Sequence, residues 1–464
     1  MALIKSISGI RGTIGGKVGE NLTPLDVVKF VSAYGMWLKQ QNQNQKSFNV
    51  VIGRDARVSG PMVHQLVIQT LVGLGIDCID LGLSTTPTVE VAVMDQKASG
   101  GIIITASHNP KQWNALKLLN HKGEFIDKNA GETILKIANK ELFEFQTVDF
   151  LGKVSTRSDF MAIHIDKVLN LDLVEEELIK SNKFKVVVDG VNSTGGVIIP
   201  MLLERLGVDV VKLYCEPTGL FAHNPEPLKE HLTQLSKTVV EYSADLGIVV
   251  DPDVDRLAFV CKDGSMFGEE YTLVAIAQYV LSKQSRACQT VSNLSSSRAL
   301  RDITDKYKGT YYASAVGEVN VVEMMKKTKA IIGGEGNGGV IYPALHYGRD
   351  AVVGVALFLS YLAQRGCTID QLKSELPVYH MCKDKIQLTE STDVDRLLNV
   401  VKEAFSNEEI STIDGVKIDF ENGWVHLRKS NTEPIIRIYS ESDSIENAKR
   451  FSSLIKEKIG QLVS

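Results

Sequence analysis

The sequence predicts an α/β protein: several layered α/β units followed by a smaller α+β segment. Two patterns carry the expectation. Short apolar, β-branched runs are each followed by a small polar loop and then a helical stretch, and this strand–loop–helix order recurs. The last ninety or so residues instead show strand-like runs joined by short links, which favours antiparallel pairing. The chain has 464 residues, 44% hydrophobic and 23% charged, near the soluble globular average, so general disorder is excluded. At about 150 residues per domain the length suits roughly three domains, with two or four also open.

In chain order, Phe48–Gly53 is the first clear strand. It is followed by the loop Arg54-Asp55-Ala56-Arg57 and a helix near Pro61 to Val72. Lys185–Asp189 repeats the pattern, with the loop Gly190–Gly196 and a helix carrying Leu202, Leu203 and Leu206. Thr290–Leu294, three serines and a helix from Arg298 make a weaker third copy. The apolar stretch Val352–Ala363 is too short to span a bilayer and reads as a buried helix. Near the end, Lys385–Leu388, Val416–Phe420, Trp424–Arg428 and Ile435–Ser440 read as strands, with helices over Asp393–Phe405 and Ser444–Ile459. Boundaries near residues 152, 262 and 376 give domains 1–152, 153–262, 263–376 and 377–464. The Gln/Asn run at 40–45 reads as a helix end and loop.

Composition narrows the function. A net charge of −5 lacks the basic footprint of a dedicated nucleic-acid binder. The opening residues show no apolar signal region, and no stretch is long enough for a membrane span. Six cysteines (Cys78, Cys215, Cys261, Cys288, Cys367, Cys382) are scattered without a C-x-x-C pair, which suits reduced, mostly buried thiols. A cytoplasmic protein is the expectation.

Four polar clusters ask for chemistry. Thr105-Ala106-Ser107-His108-Asn109-Pro110 follows the strand-like run Gly101–Ile104. Its serine can be a nucleophile in a polar loop, although Asn-Pro also starts an ordinary turn and no G-x-S-x-G elbow is present. Asp251-Pro252-Asp253-Val254-Asp255-Arg256 follows Leu246–Val250. Three carboxylates at alternate positions can converge from one side of an extended segment. Two unit charges at 4 Å repel by roughly 4 kcal/mol at an effective dielectric of about 20. A hard cation such as Mg²⁺ relieves that repulsion, and a solvated acidic turn is the alternative. Arg428 to Pro434, with Arg437 beyond, mixes guanidinium groups, hydroxyls and an amide in a way that suits phosphate, or a basic surface loop. Gly333 to Gly339 holds five glycines around Glu335 and Asn337. That permits close backbone approach to a ligand or simply a flexible turn, and it lacks the Walker lysine.

Taken together and in this order, the clusters resemble the α-D-phosphohexomutases, the family of phosphoglucomutase, phosphomannomutase and phosphoglucosamine mutase. TASHNP, DPDVDR and RKSNTEP carry the resemblance. Gly9-Ile10-Arg11-Gly12, Gly53-Arg54-Asp55-Ala56-Arg57, Asp189-Gly190 and Asn224-Pro225-Glu226-Pro227 extend it over essentially the whole chain. It implies three related α/β domains and a smaller C-terminal α+β domain around a central cleft. It implies that Ser107 carries a transferable phosphate and that Asp251, Asp253 and Asp255, with that phosphate, bind Mg²⁺. Arg11, His108, Lys117 and Arg256 match polar residues around the phosphoserine, Lys117 as a candidate acid/base. Glu335 and Asn337 match sugar contacts. Arg428, Ser430, Asn431, Thr432 and Arg437 match the loop for the non-reacting phosphate.

The implied reaction interconverts hexose 6-phosphate and hexose 1-phosphate through a 1,6-bisphosphate, which also acts as activator. The small-molecule phosphosugar is the partner, with no nucleic acid and no membrane. One departure stands out: many members carry His where this chain has Gly339, so a proton-transfer role falls to Lys117 or to His346 nearby. The Gly-Gly ending leans toward glucosamine phosphate as substrate, with glucose or mannose phosphate as the alternative. A phosphosugar-binding pseudoenzyme is disfavoured by the intact Ser107 and aspartates. A Mg²⁺-dependent phosphatase is disfavoured by the second phosphate site.

Overall fold

A computed structural model describes residues 3–6, 9–41, 47–388, 393–429 and 435–463. Residues 1–272 and 338–374 form one compact unit, and residues 273–337 and 375–464 form a second.

In the first unit a seven-stranded mixed sheet runs Ile4–Ser6, Gly9–Thr13, Trp113–Leu119, Gly100–Ile104, Asn49–Arg54, Asp77–Leu83, Val154–Thr156. Its centre is parallel: Asn49–Arg54 lies between Gly100–Ile104 and Asp77–Leu83. Gly100–Ile104 is buried at every residue, as expected of a strand covered on both faces. Helices Pro24–Gln41 and Gly60–Gly73 contribute Phe30, Tyr34, Val63, Val67 and Leu71 to the core on one side; Val89, Ala92 and Val93 of helix Thr86–Asp95 pack on the other. A second, four-stranded sheet in this unit runs Leu257–Val260, Leu246–Val250, Lys185–Asp189, Asp209–Leu213. Leu246–Val250 is parallel to Lys185–Asp189 but antiparallel to Leu257–Val260, so residues 251–256 are the loop of a hairpin between two fully buried strands. Helix Ala351–Arg365 is buried from Ala351 through Ala363, starts on Asp350 and ends on left-handed Gly366.

In the second unit, Gln289–Asn293 lies parallel between Thr310–Ser314 and Ile332–Glu335. Five antiparallel strands follow in the order His380–Gln387, Ile435–Ser442, Gly423–Lys429, Val416–Phe420, Glu409–Ser411. Their apolar face packs against helices Val394–Ala404 and Ile445–Val463 through Val401, Val425, Ile438 and Ile455. The fold is therefore three α/β domains and a C-terminal antiparallel-sheet domain.

Two expectations need correction, and one strand had not been expected. The glycine-rich run is not a free turn: Gly333 and Gly334 lie inside strand Ile332–Glu335, and a new strand, Gly339–Ile341, begins at its end. A Cβ on Gly333 would lie 2.6 Å from the sulfur of Met325 on helix Glu318–Thr328, so glycine here lets helix and strand pack closely. Segment 251–256 is a tight hairpin loop, not an extended segment. Finally, the short strand Glu409–Ser411 had no clear sequence signal. The Gln/Asn run reaches a helix end at Gln41, and its later residues lie outside the described ones. Cys78, Cys261 and Cys288 are buried, and Cys215, Cys367 and Cys382 are half-buried. Among the described residues no helix is long and apolar enough to cross a membrane.

Candidate active site

Strand Gly100–Ile104 delivers Ser107 into the first unit's site. Ser107 has φ 49°, a left-handed conformation that L-residues adopt at a cost. Its amide donates to Thr105 Oγ1 (2.9 Å), and the Thr105 hydroxyl donates to Asp55 Oδ2 (2.7 Å). Asp55 forms a fully buried ion pair with Arg57 (Nε–Oδ2 3.0 Å). The Arg57 guanidinium then donates to four carbonyls of the serine loop: those of Pro110 (2.9 Å), Trp113 (3.0 Å), Asn109 (2.6 Å) and Ser107. A buried cation whose donors all meet acceptors pins that loop in place.

The hairpin loop brings the three carboxylates to the same place. Asp251 Oδ1 accepts the amides of Asp255 and Arg256, both at 3.1 Å, which folds the loop back on its first residue. Val254 takes φ 66° at its tip. Asp251 Oδ2 accepts from the Ser107 hydroxyl at 2.6 Å. Asp253 Oδ2 accepts from Thr86 Oγ1 (2.5 Å) and Lys117 Nζ (2.6 Å); Asp255 Oδ2 accepts from Lys117 Nζ (3.1 Å) and Arg349 Nη2 (2.8 Å). Ser107 and Lys117 are 3% exposed and the aspartates are wholly buried, so solvated acidic turn is the wrong reading.

The three aspartates offer oxygens within 4.8 Å of one another. Asp253 Oδ1 and Asp255 Oδ1 are buried without a hydrogen-bond partner among the described residues. Two orphaned carboxylate oxygens in a dry site, on an all-oxygen donor set, fit a hard divalent cation. Burial, then Asp255 and Asp253, push the Asp251 carboxyl well above the usual range. Burial also opposes ionisation of Asp255, but Arg349 and Lys117 outweigh it and hold that carboxyl well below its ordinary value. Burial works against the Lys117 charge, yet Asp253 and Asp255 more than offset it and raise its pKa.

Around this centre, Arg11 Nη1 donates to Asn109 Oδ1 (2.7 Å), and His108 Nδ1 lies 3.4 Å from Ser107 Oγ. Burial, with Arg256 and Arg11 close by, drives the His108 pKa well below normal and leaves the ring neutral. Arg256 pairs with Glu226 at 3.5 Å. The first unit thus brings together Ser107, His108, Lys117, Arg11, Arg256 and the three aspartates.

In the second unit Glu335 ends its strand 5% exposed, accepting from Asn293 Nδ2 (2.8 Å) and the Gly317 amide (3.1 Å), while Asn337 Nδ2 lies 3.4 Å from its other oxygen. Arg428 and Arg437 are direct partners across two antiparallel strands, both half-buried. Ser430, Asn431 and Thr432 lie outside the described residues. His346 is held between Glu90 and Asp350.

Sequence reasoning gave no role to Asp55, Arg57, Thr86, Thr105 or Arg349. The first two lie in a stretch that resembles the family, but their partners are backbone carbonyls and a threonine some fifty residues away.

Models of phosphoglucomutase/phosphomannomutase match along the chain: α/β/α domain I over residues 4–145, domain II over 162–264, domain III over 268–379 and the C-terminal domain over 383–458. The chain is 35% identical to a phosphoglucomutase/phosphomannomutase of Thermococcus kodakarensis, with 96% of each chain covered. It is 31% identical to a probable phosphoglucosamine mutase of Methanopyrus kandleri, covering 95% of this chain and 94% of that one. A solved phosphoglucomutase/phosphomannomutase family protein of Burkholderia thailandensis shares the fold at TM-score 0.85 and 24% identity, covering 99% of this chain and 98% of that one. The chain belongs to the phosphoglucomutase/phosphomannomutase family. Its reaction class follows: it is a phosphohexomutase, an isomerase that transfers phosphate intramolecularly.

Proposed function

We propose that the protein interconverts hexose 6-phosphate and hexose 1-phosphate through a phosphorylated Ser107 and a hexose 1,6-bisphosphate. The observation that carries the reading is the Ser107 hydroxyl, 2.6 Å from Asp251 in a buried site where Asp253 and Asp255 each keep one carboxylate oxygen without a hydrogen bond among the described residues. Asp251, Asp253, Asp255 and the Ser107 phosphate would hold Mg²⁺, which supplies charge neutralisation at the transferring phosphoryl group.

This chain's residues do the rest. Arg57 and Asp55 fix the serine loop, and Arg11, Arg256 and Lys117 place cationic charge around the phosphate. When the phosphoryl group passes to a sugar hydroxyl, the P–O bond to Ser107 breaks and one to the sugar oxygen forms. The hydroxyl proton is lost and Ser107 Oγ regains one. Lys117, ion-paired to Asp253 and Asp255, is the candidate acid/base of that exchange. Glu335 and Asn337 orient the sugar. Arg428 and Arg437, with Ser430, Asn431 and Thr432, hold the phosphate that is not reacting. The sugar must then turn round so that its other phosphate can return to Ser107.

Glucosamine phosphate is the preferred substrate in this reading, supported by the likeness to the probable phosphoglucosamine mutase of Methanopyrus kandleri and by the Gly338-Gly339 ending; glucose or mannose phosphate is the alternative. The domain limits at 152, 262 and 376 are proposed with it, supported by matched stretches that end at 145, 264 and 379. The deciding experiment assays glucosamine, glucose and mannose 1-phosphates with Mg²⁺ and a trace of the matching 1,6-bisphosphate. The highest kcat/KM is expected for glucosamine 1-phosphate. Turnover of none of the three would overturn the mutase reading, and a glucose or mannose preference would replace the substrate.

A further inference from the structure

A buried cluster beneath the carboxylate loop has no part in the chemistry described above. Asp350 Oδ2 accepts from His164 Nε2 at 2.9 Å and from His346 Nε2 at 3.1 Å. The other nitrogen of each ring also faces a polar group: His346 Nδ1 lies at ion-pair distance, 3.2 Å, from Glu90 Oε2, and His164 Nδ1 lies 3.0 Å from Thr88 Oγ1. His164, Asp350, Glu90 and Thr88 are wholly buried, and His346 is 4% exposed. With carboxylates on both its nitrogens, the His346 ring carries both protons, and its pKa is raised to about 10 against the pull of burial.

Three of these groups lie at or near the starts of two helices, while His164 lies in a third, Phe160–Leu169, and His346 in the loop before Asp350. Thr88 and Glu90 belong to Thr86–Asp95, whose start is capped by Thr85. Asp350 caps Ala351–Arg365, its Oδ1 accepting the amides of Val352 (2.7 Å) and Val353 (3.3 Å). Both helix starts grip the carboxylate loop. On one side the Thr86 amide donates to the Asp253 carbonyl at 2.9 Å and its hydroxyl to Asp253 Oδ2. On the other, the Ala351 amide donates to the Val254 carbonyl at 3.1 Å and Arg349 reaches Asp255 Oδ2. The residue gripped in the middle, Val254, is β-branched and left-handed, a conformation that persists only when its surroundings impose it.

We propose that His164, His346, Glu90 and Thr88, meeting through Asp350, are positioning residues that tie the two helix starts together and so set the three aspartates for the cation. The proposal rests on the Mg²⁺ reading of Asp251, Asp253 and Asp255. It differs from ordinary core stabilisation in what it predicts: loss of the tie loosens the cation before it loosens the sugar, because none of these residues lies in the segments assigned to the sugar or its distal phosphate.

The test measures kcat, KM for the hexose phosphate and the Mg²⁺ activation constant for wild type, His346→Gln and Thr88→Val, with the folded fraction followed by circular dichroism. Removing partners behind a metal's ligands typically costs about 10–100-fold in metal affinity or activity. The expected result for His346→Gln is a Mg²⁺ activation constant raised about tenfold or more, kcat recovered at saturating Mg²⁺, and KM for the sugar within about twofold of wild type. Thr88→Val keeps all charges and should move the same constant in the same direction, so it decides the matter if His346→Gln fails to fold. A wild-type activation constant in folded variants overturns the proposal. So does a loss of kcat that follows only the folded fraction. His164, His346 and Asp350 also form a transition-metal donor set. A stoichiometric metal other than Mg²⁺ in the purified protein, absent from His164→Asn, would overturn the tie in favour of a second metal site. A wild-type enzyme indifferent to Mg²⁺ fails at the underlying site reading, visible before any variant is made, and takes this proposal with it.

Discussion

Ser107, the proposed phosphate carrier, holds its hydroxyl on a backbone conformation that favours glycine. Its φ of 49° belongs to the left-handed region, where an L-residue pays on the order of 1–2 kcal/mol. The surrounding structure imposes that conformation through Thr105, Asp55 and Arg57. Two substitutions separate hydroxyl from backbone. Ser107→Ala and Ser107→Gly should both abolish turnover, along with the extra phosphate that intact-mass measurement should find on wild type. Only Gly relieves the backbone, so Ser107→Gly should be more stable than Ser107→Ala by about 1 kcal/mol in denaturant unfolding. Wild-type turnover in either variant would remove Ser107 as the phosphate carrier, and an Ala variant as stable as the Gly one would remove the strain.

At the scale of elements, the most legible parts were strands fed by apolar β-branched runs. Lys185–Asp189, Leu246–Val250 and Val416–Phe420 run where the sequence placed them, because a buried strand needs no partner information to be recognised. What the sequence hid was tertiary. Gly333 reads as a turn residue until the Met325 sulfur is seen above it, and Glu409–Ser411 is three residues at a sheet edge, too short for a period-2 pattern. His164 and Glu90 sit in helices with no motif; their meaning comes from Asp350, far along the chain.

Strand Gly423–Lys429 carries a further group of this kind. His426 is 1% exposed, with Nδ1 2.9 Å from Ser295 Oγ and Nε2 2.6 Å from the Asp414 carbonyl. Burial lowers its pKa to about 4. Against about 6.5 in the unfolded chain, the unfolded state binds a proton that the folded state refuses, so stability is intact above pH 6.5 and is lost as pH falls from there to about 4. The loss is on the order of 3 kcal/mol. His426→Asn should therefore show a flatter fall in thermal midpoint between pH 6.5 and 4 than wild type. Parallel falls would mean that His426 takes up its proton without cost in the folded protein.

At the scale of the molecule, the chemistry of a mutase constrains residues far from the reacting bond in sequence. In the proposed mechanism one serine serves both half-reactions, so each sugar phosphate must in turn be the one held and the one transferred. In the proposed assignment Arg437, paired across the sheet with Arg428, serves that held phosphate whichever carbon bears it. A charge-assisted hydrogen bond is worth about 1.5–3 kcal/mol. Arg437→Ala should lower kcat/KM for the 1-phosphate and the 6-phosphate by similar factors, roughly tenfold to a hundredfold at 1.4 kcal/mol per decade. A weakened hold also lets the bisphosphate leave before it has turned round. The variant should therefore need more added 1,6-bisphosphate than wild type, and water should compete for the Ser107 phosphate. Both directions and the release of inorganic phosphate are measured together. A loss confined to one direction would mean that the strand pair recognises one particular phosphate, and a single clamp shared by the two half-reactions would have to be abandoned.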